Sequence, residues 1–178
     1  MKIITADIGF DEKGIPLKRM LCDPDNILRE WWKTYFFHFP KEERRELATV
    51  AYKDCILEWC KSTIDKPIPD IAVTSGSHLV LNRRAFSLIG DIFKKTGDFY
   101  TAHLNSGGAL HIYKCWTTIS FRNIDNSVCG AFLIDGLDLR RYNSVPYGML
   151  YINEHLRDLI IKNWITGLVF RETDVNTE

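Results

Sequence analysis

Ser75, Ser77 and His78, in the stretch "TSGSH", are the first side chains of this sequence that could share a reaction, a hydroxyl nucleophile beside an imidazole base. A hydrolase nucleophile elbow needs glycines flanking the serine in the order G-x-S-x-G, so that a strand turns sharply into a helix. "TSGSH" lacks that pattern and reads as a turn leading into a strand. His103 and His111 have seven residues between them, and no histidine or carboxylate stands at helical i+4 spacing beside either. Zinc sites rely on close ligand pairs that preset half a tetrahedron, so neither histidine reads as a ligand. His38 and His155 are isolated. Ordinary exposed or hydrogen-bonded histidines account for all five.

Cys22, Cys55, Cys60, Cys115 and Cys129 are odd in number and form no CxxC pair. They read as reduced, mostly buried thiols. Cys55 and Cys60, read as lying on one helix, point in different directions there and make no metal half-site. "LNSGGALH" is glycine-rich, but its glycines precede a strand instead of opening a helix. A loop or hairpin tip follows, not a phosphate cradle. Asp135 and Asp138 stand near Arg140, Arg141, Tyr142 and Tyr147 in "IDGLDLRRYNSVPYG". Polar, turn-forming neighbours predict solvent exposure for this segment, which argues against acid–base chemistry and suits either a contact loop or a plain solvated one.

The search yields no nucleophile with its base, no metal cluster and no phosphate loop. The sequence therefore reads as a protein that is not an enzyme and uses no cofactor or metal.

These residues must be carried by a folded frame. Of the 178 residues, 46% are hydrophobic and 26% charged, a balance that supports a globular core. Lys plus Arg and Asp plus Glu are both 23, so no net charge exists to hold nucleic acid. The opening "MKIITADIGFDEKG" has no signal-peptide core, and no run reaches the ~18 apolar residues of a membrane span. These features predict a soluble cytoplasmic protein with neither nucleic acid nor membrane as partner.

Residues 1–20 read as a strand, a turn at "DEKG" and a second extended segment. Asp23 and Pro24 start a first helix, whose broad apolar face includes Trp31 and Trp32. Pro40 opens a second helix through "KEERRELATVAYKDCILEWCKST", with Leu47, Val50, Ala51, Cys55 and Leu57 as its inward stripe. "DKPIP" then interrupts the chain. The spacing predicts an N-terminal strand and two-helix region over 1–66 and an α+β region over 67–178, sharing one core.

Two stretches of the second region resemble each other: "SHLVLNRRAFSLIGDIFKKTG" and "GMLYINEHLRDLIIKNWITGLVF". Each runs from a strand into an Asn cap and then a helix. Asn82 precedes the helical positions Ala85, Leu88, Ile89 and Ile92, and Asn153 precedes Leu156, Leu159, Ile160 and Trp164, which form a buried face, with Gly167 ending the second helix. Between them, "ALHIYKCWTTISF" alternates as a strand, Leu110, Ile112 and Trp116 against His111, Tyr113 and Cys115, and "VCGAFLID" reads as another. "LVFRET" is the last strand. The fold class predicted is α+β: a helical N-terminal part packed with a mixed or antiparallel sheet, flanked by two helices from a repeated strand–helix unit.

Pro69-Asp70, the segment Leu79 to Phe86, and Tyr151, Ile152, Asn153, Glu154, Leu156, Leu159, Gly167 and Phe170 carry a resemblance over about residues 69–172. In these positions the chain resembles a family of bacterial immunity proteins from polymorphic-toxin and type VI secretion systems. The resemblance implies a non-catalytic protein that neutralises one cognate effector toxin by direct contact, one to one, in the cytoplasm. Under it, Asp135, Asp138, Arg140, Arg141, Tyr142 and Tyr147 become the expected toxin contacts. Two rival readings stand beside it: a hydrolase-type enzyme with a scattered site at His78 or His103, and a homodimeric scaffold joined through aromatic residues such as Trp31 or Trp32.

Overall fold

The computed structural model describes residues 2–8, 17, 20–22, 40–53, 55–73, 78–119, 131–134 and 150–174. Short runs of β-branched and aromatic residues form most of the elements. The strands are β1 (Lys2–Ile8), β2 (Met20–Cys22), β3 (Ile56–Trp59), β4 (Ile71–Val73), β5 (Leu79–Leu81), β6 (Gly97–Leu104), β7 (Ala109–Cys115), β8 (Thr118–Ile119), β9 (Ala131–Ile134), β10 (Leu150–Ile152) and β11 (Leu168–Asp174). The helices are α1 (Lys41–Lys53), α2 (Arg83–Phe93) and α3 (Glu154–Lys162). A 3-10 turn covers Lys61–Thr63. The fold is α+β. Among the described residues, no helix is long and apolar enough to cross a membrane.

Two mixed sheets form. The first has the order β11-β1-β10-β9-β8, antiparallel except where β8 runs parallel to β9. The second has the order β2-β3-β6-β7-β5-β4, antiparallel except where β3 runs parallel to β6. Both draw strands from either side of residue 66: β1 pairs along its length with β11, and β3 pairs with β6.

Because side chains alternate across a strand, the six-stranded sheet sorts its residues onto two faces. Leu79, Leu81, Tyr113 and Cys115 pack with Ala85, Ile89 and Phe93 of α2 and with Leu156 and Ile160 of α3. Val80, Ile112, Tyr100 and Ala102 point the other way and pack with Ala48 and Tyr52 of α1. The alternation read for 109–116 is therefore correct, and helices cover both faces. Burying a side chain such as Leu81 or Ile112 contributes about 1.5–3 kcal/mol, and both are fully buried.

The second N-terminal helix is shorter than the sequence predicts. It ends at Lys53, and Ile56–Trp59 leave it as a strand between β2 and β6. Pairing explains the change: His103 N–H donates to Cys55 O at 3.0 Å and Asn105 N–H to Leu57 O at 2.8 Å. Tertiary hydrogen bonding overrides the helical spacing. Cys55 and Cys60 are thus not on a helix. The inward stripe of α1 is Ala48 and Tyr52, one turn apart, while Val50 is 73% exposed. The first predicted helix, from Asp23, and the "DEKG" turn lie outside the described residues.

Both Asn caps form. Asn82 Oδ1 accepts from Ala85 N–H at 2.8 Å and Asn153 Oδ1 from Leu156 N–H at 3.0 Å. One predicted buried position is overturned, however: Trp164 is 80% exposed, and Leu88, although at helical spacing with the buried Ala85 and Ile89, is 45% exposed. Gly167 does not end α3, which stops at Lys162. Instead Gly167, at φ 113°, lets β11 pass the backbone of β4, since a Cβ there would fall 1.9 Å from Ile71 O. "LNSGGALH" forms the β6–β7 hairpin tip, with Gly107 and Gly108 at φ 95° and 102°.

Candidate functional site

The candidate site is built around the end of α3. Ile165 N–H donates to Ile160 O at 3.1 Å and Trp164 N–H to Ile161 O at 3.0 Å. This pair of bonds is the Schellman helix ending, and it requires the residue between to turn left-handed. Its hydrophobic signature is present, because Ile160 and Ile165, the two positions that meet across the ending, are both buried in the core. The left-handed position is Trp164, at φ 52°. Glycine is the residue that usually stands there, since a Cβ at positive φ costs about 1–2 kcal/mol.

Asp70 clasps this turn from the side. Its Oδ1 accepts from Asn82 Nδ2 at 2.9 Å; its Oδ2 accepts from Arg84 Nη1 at 2.6 Å and Thr166 N–H at 3.0 Å. Arg84 reaches on to the carbonyls that α3 leaves open, donating Nη2 to Asn163 O at 2.6 Å and Nη1 to Trp164 O at 3.3 Å. The sequence offers a signal for half of this, Asp70 beside Pro69 and Arg84 after the Asn82 cap. Thr166 joins the clasp only through the fold. Ile161 on the last turn of α3, Leu88 one turn after Arg84 on α2, and Ile68 two residues before Asp70 are exposed apolar side chains.

A second group of polar residues lies on the opposite face of the sheet. The registers place Lys114 beside Asp98, and the β5–β7 pairing continued by one residue puts His78 opposite Lys114. Above this row sits α1. Tyr52 Oη shares a 2.7 Å hydrogen bond with His78 Nε2, and Arg45 Nε meets Asp98 Oδ2 at 3.1 Å. Tyr52 also stacks on Tyr100, with ring centroids 4.6 Å apart. Burial first, and Lys114 second, hold the His78 imidazole well below its usual pKa, so it is neutral. Burial pulls the Lys114 ammonium down to about 8. The Tyr100 hydroxyl is pushed up to about 12, first by burial and then by Asp98. His78 is a core histidine bonded to a phenol.

The remaining candidates separate. His103 and His155 are exposed, and His111 stacks on Phe86 with centroids 3.7 Å apart. Cys55 and Cys115 are buried thiols and Cys60 is half-buried. Among the described residues, no three His, Cys, Asp or Glu side chains gather as a metal site. Asp135, Asp138, Arg140, Arg141, Tyr142 and Tyr147 lie outside the described residues, as do Ser75, Ser77, His38, Trp31 and Trp32. The sequence reading passes over Lys114, although a lysine between Ile112 and Trp116 on an apolar strand face is a visible signal. It also places Trp164 in the core, because helical spacing does not reveal where the helix stops.

Comparison with family models, with curated proteins and with solved structures finds no match for this chain.

Proposed function

We propose that the protein works by occupying another protein's surface, and that the partner is a cognate effector toxin which it neutralises one to one. The observation that supports this reading is Trp164. It is a large aromatic residue, 80% exposed, in a backbone conformation that favours glycine. Its ring gains little from the fold, so stability does not account for its presence. Clamped at its carbonyl by Arg84 and anchored below by Ile160 and Ile165, it is pre-organised, which lowers the entropic cost of docking. Trp and Arg are among the residues that most often dominate binding energy at interfaces.

That the partner is a toxin is what the resemblance of residues 69–172 to immunity proteins implies. Catalysis is no part of the proposal, and the site of action is the cytoplasm. The test is co-expression of this chain with the toxin encoded beside its gene. The expected outcome is survival with the wild-type chain and at least a tenfold loss of affinity with Trp164→Ala, measured by calorimetry on the purified pair. Lethality that persists despite abundant wild-type protein overturns the neutralising role; unaltered affinity of Trp164→Ala overturns the assignment of the surface.

A further inference from the structure

Asp70 and Thr166 stand 96 residues apart in sequence, yet they exchange hydrogen bonds in both directions. Asp70 N–H donates to Thr166 Oγ1 at 3.0 Å, while Thr166 N–H and Thr166 Oγ1 donate to Asp70 Oδ2 at 3.0 Å and 3.2 Å. The same oxygen, Oδ2, accepts from Arg84 Nη1, and Arg84 in turn donates to Asn163 O and Trp164 O. One carboxylate oxygen therefore holds both flanks of Trp164: the carbonyls at and before it through Arg84, and the amide two residues after it through Thr166. Asn82 ties the arrangement to the start of α2, since its N–H donates to Asp70 O and its Nδ2 to Asp70 Oδ1, both at 2.9 Å. These bonds matter because a tryptophan at φ 52° is crowded at its Cβ, and such a conformation persists only where the surroundings enforce it. The Asp70 side chain is 13% exposed, against 48% for Arg84. So covered a carboxylate offers a partner little surface, and what it contributes to binding passes through the residues it holds.

We propose that Asp70 is the positioning residue of the surface around Trp164, an inference that deepens the binding role given to that surface and rests on it. With both flanks fixed, the backbone stays left-handed and the indole is held out for a partner. Without Oδ2, Arg84 loses the ion pair that aims it and Thr166 N–H loses its acceptor. The turn over 163–166 then relaxes towards negative φ and carries the indole away. Only a fraction of the molecules present the ring, and the apparent affinity falls by that fraction. Asp70→Asn is the informative substitution: the amide keeps the size but has one acceptor atom in place of two, and no charge, against donors from Asn82, Arg84 and Thr166. The backbone bond from Ile71 N–H to Thr166 O at 2.9 Å survives the change and keeps the segment seated on β4.

The first readout needs no partner. The full chain is labelled with 5-fluorotryptophan, its five tryptophans give five fluorine lines, and Trp164→Phe assigns one of them. In Asp70→Asn the Trp164 line is expected to shift and broaden while the other four hold their positions. An unmoved Trp164 line overturns the proposal, and so do shifts spread over all five, which mean that Asp70 serves the fold at large. Arg84→Gln frees one flank and leaves Asp70 bonded to Asn82 and Thr166. It is expected to move the same line less far, an unmoved line there counts against the proposal, and this variant decides if Asp70→Asn does not fold. The second readout is calorimetry against the toxin encoded beside the gene. Asp70→Asn is expected to weaken binding about tenfold in the otherwise wild-type chain. In the Trp164→Ala background the loss is expected to be less than about twofold, because the carboxylate acts through the indole. Equal losses in both backgrounds overturn the positioning role. If Trp164→Ala binds as wild type does, the assignment of the surface fails, and the fluorine spectra still decide whether Asp70 positions the ring.

Discussion

Tyr52 on α1 and His78 at the start of β5 share a 2.7 Å hydrogen bond although 26 residues separate them in sequence. Both side chains are buried, so the bond joins a helix to a sheet through two polar groups taken out of water. Removing one partner leaves the other desolvated, which costs about 1–3 kcal/mol. Tyr52→Phe keeps the stacking on Tyr100 and deletes only the hydroxyl. It is expected to lower unfolding stability by that amount, read from the urea midpoint at unchanged slope. A variant as stable as wild type would show that the bond contributes nothing.

His78 also sets a pH dependence. Its folded-state pKa lies well below 6.5, because burial and Lys114 oppose the charged ring. Between that depressed value and 6.5 the unfolded chain binds the proton and the folded chain does not, so stability rises with pH. The contribution is complete above 6.5 and falls away as the pH drops below it, at no more than about 1.4 kcal/mol per pH unit. His111 is shifted in the same direction, by burial and then Lys94, and adds to the slope. Urea midpoints at pH 7.5, 6.5 and 5.5 should decline for wild type and decline less steeply for His78→Gln. Parallel lines for the two proteins would contradict this.

Asn82 is predicted to contribute more than a cap. Asn82→Ala removes the bond to Ala85 N–H and also the Nδ2–Asp70 contact that helps hold the clasp. Its cost is expected near the top of the measured range for caps, ~2 kcal/mol. Thermal or chemical denaturation decides it. A loss of about 1 kcal/mol, that of a cap alone, would mean that Asp70 is held well enough by Arg84 and Thr166.

Trp164→Gly separates folding from function. Glycine relieves the left-handed strain, and with the ring 80% exposed little packing is lost. Stability should therefore stay level or rise by up to about 1 kcal/mol. Affinity for the toxin should fall at least tenfold. A variant that loses stability would show that the indole serves the fold, and the binding role would lose its basis.

The sequence by itself determined much of the frame. The caps at Asn82 and Asn153 were legible because a side-chain acceptor before a helix is a local device that needs only its next three residues. The alternation of β7 was legible because a strand buried on both faces still keeps a period of two. The "GG" hairpin tip was legible because glycine relieves the conformations such tips need. Local signals failed where the partner lay far along the chain. Ile56–Trp59 leave α1 to become a strand because β6, more than forty residues later, offers the hydrogen bonds. Trp164 swings outward because Ile165 meets Ile160 beneath it, and Gly167 is needed because β4 crosses there. Capping and alternation are properties of neighbouring residues, and the sequence states them directly. Which residue is buried or strained depends on surfaces that meet only after the chain has folded, and the tertiary structure alone decided that.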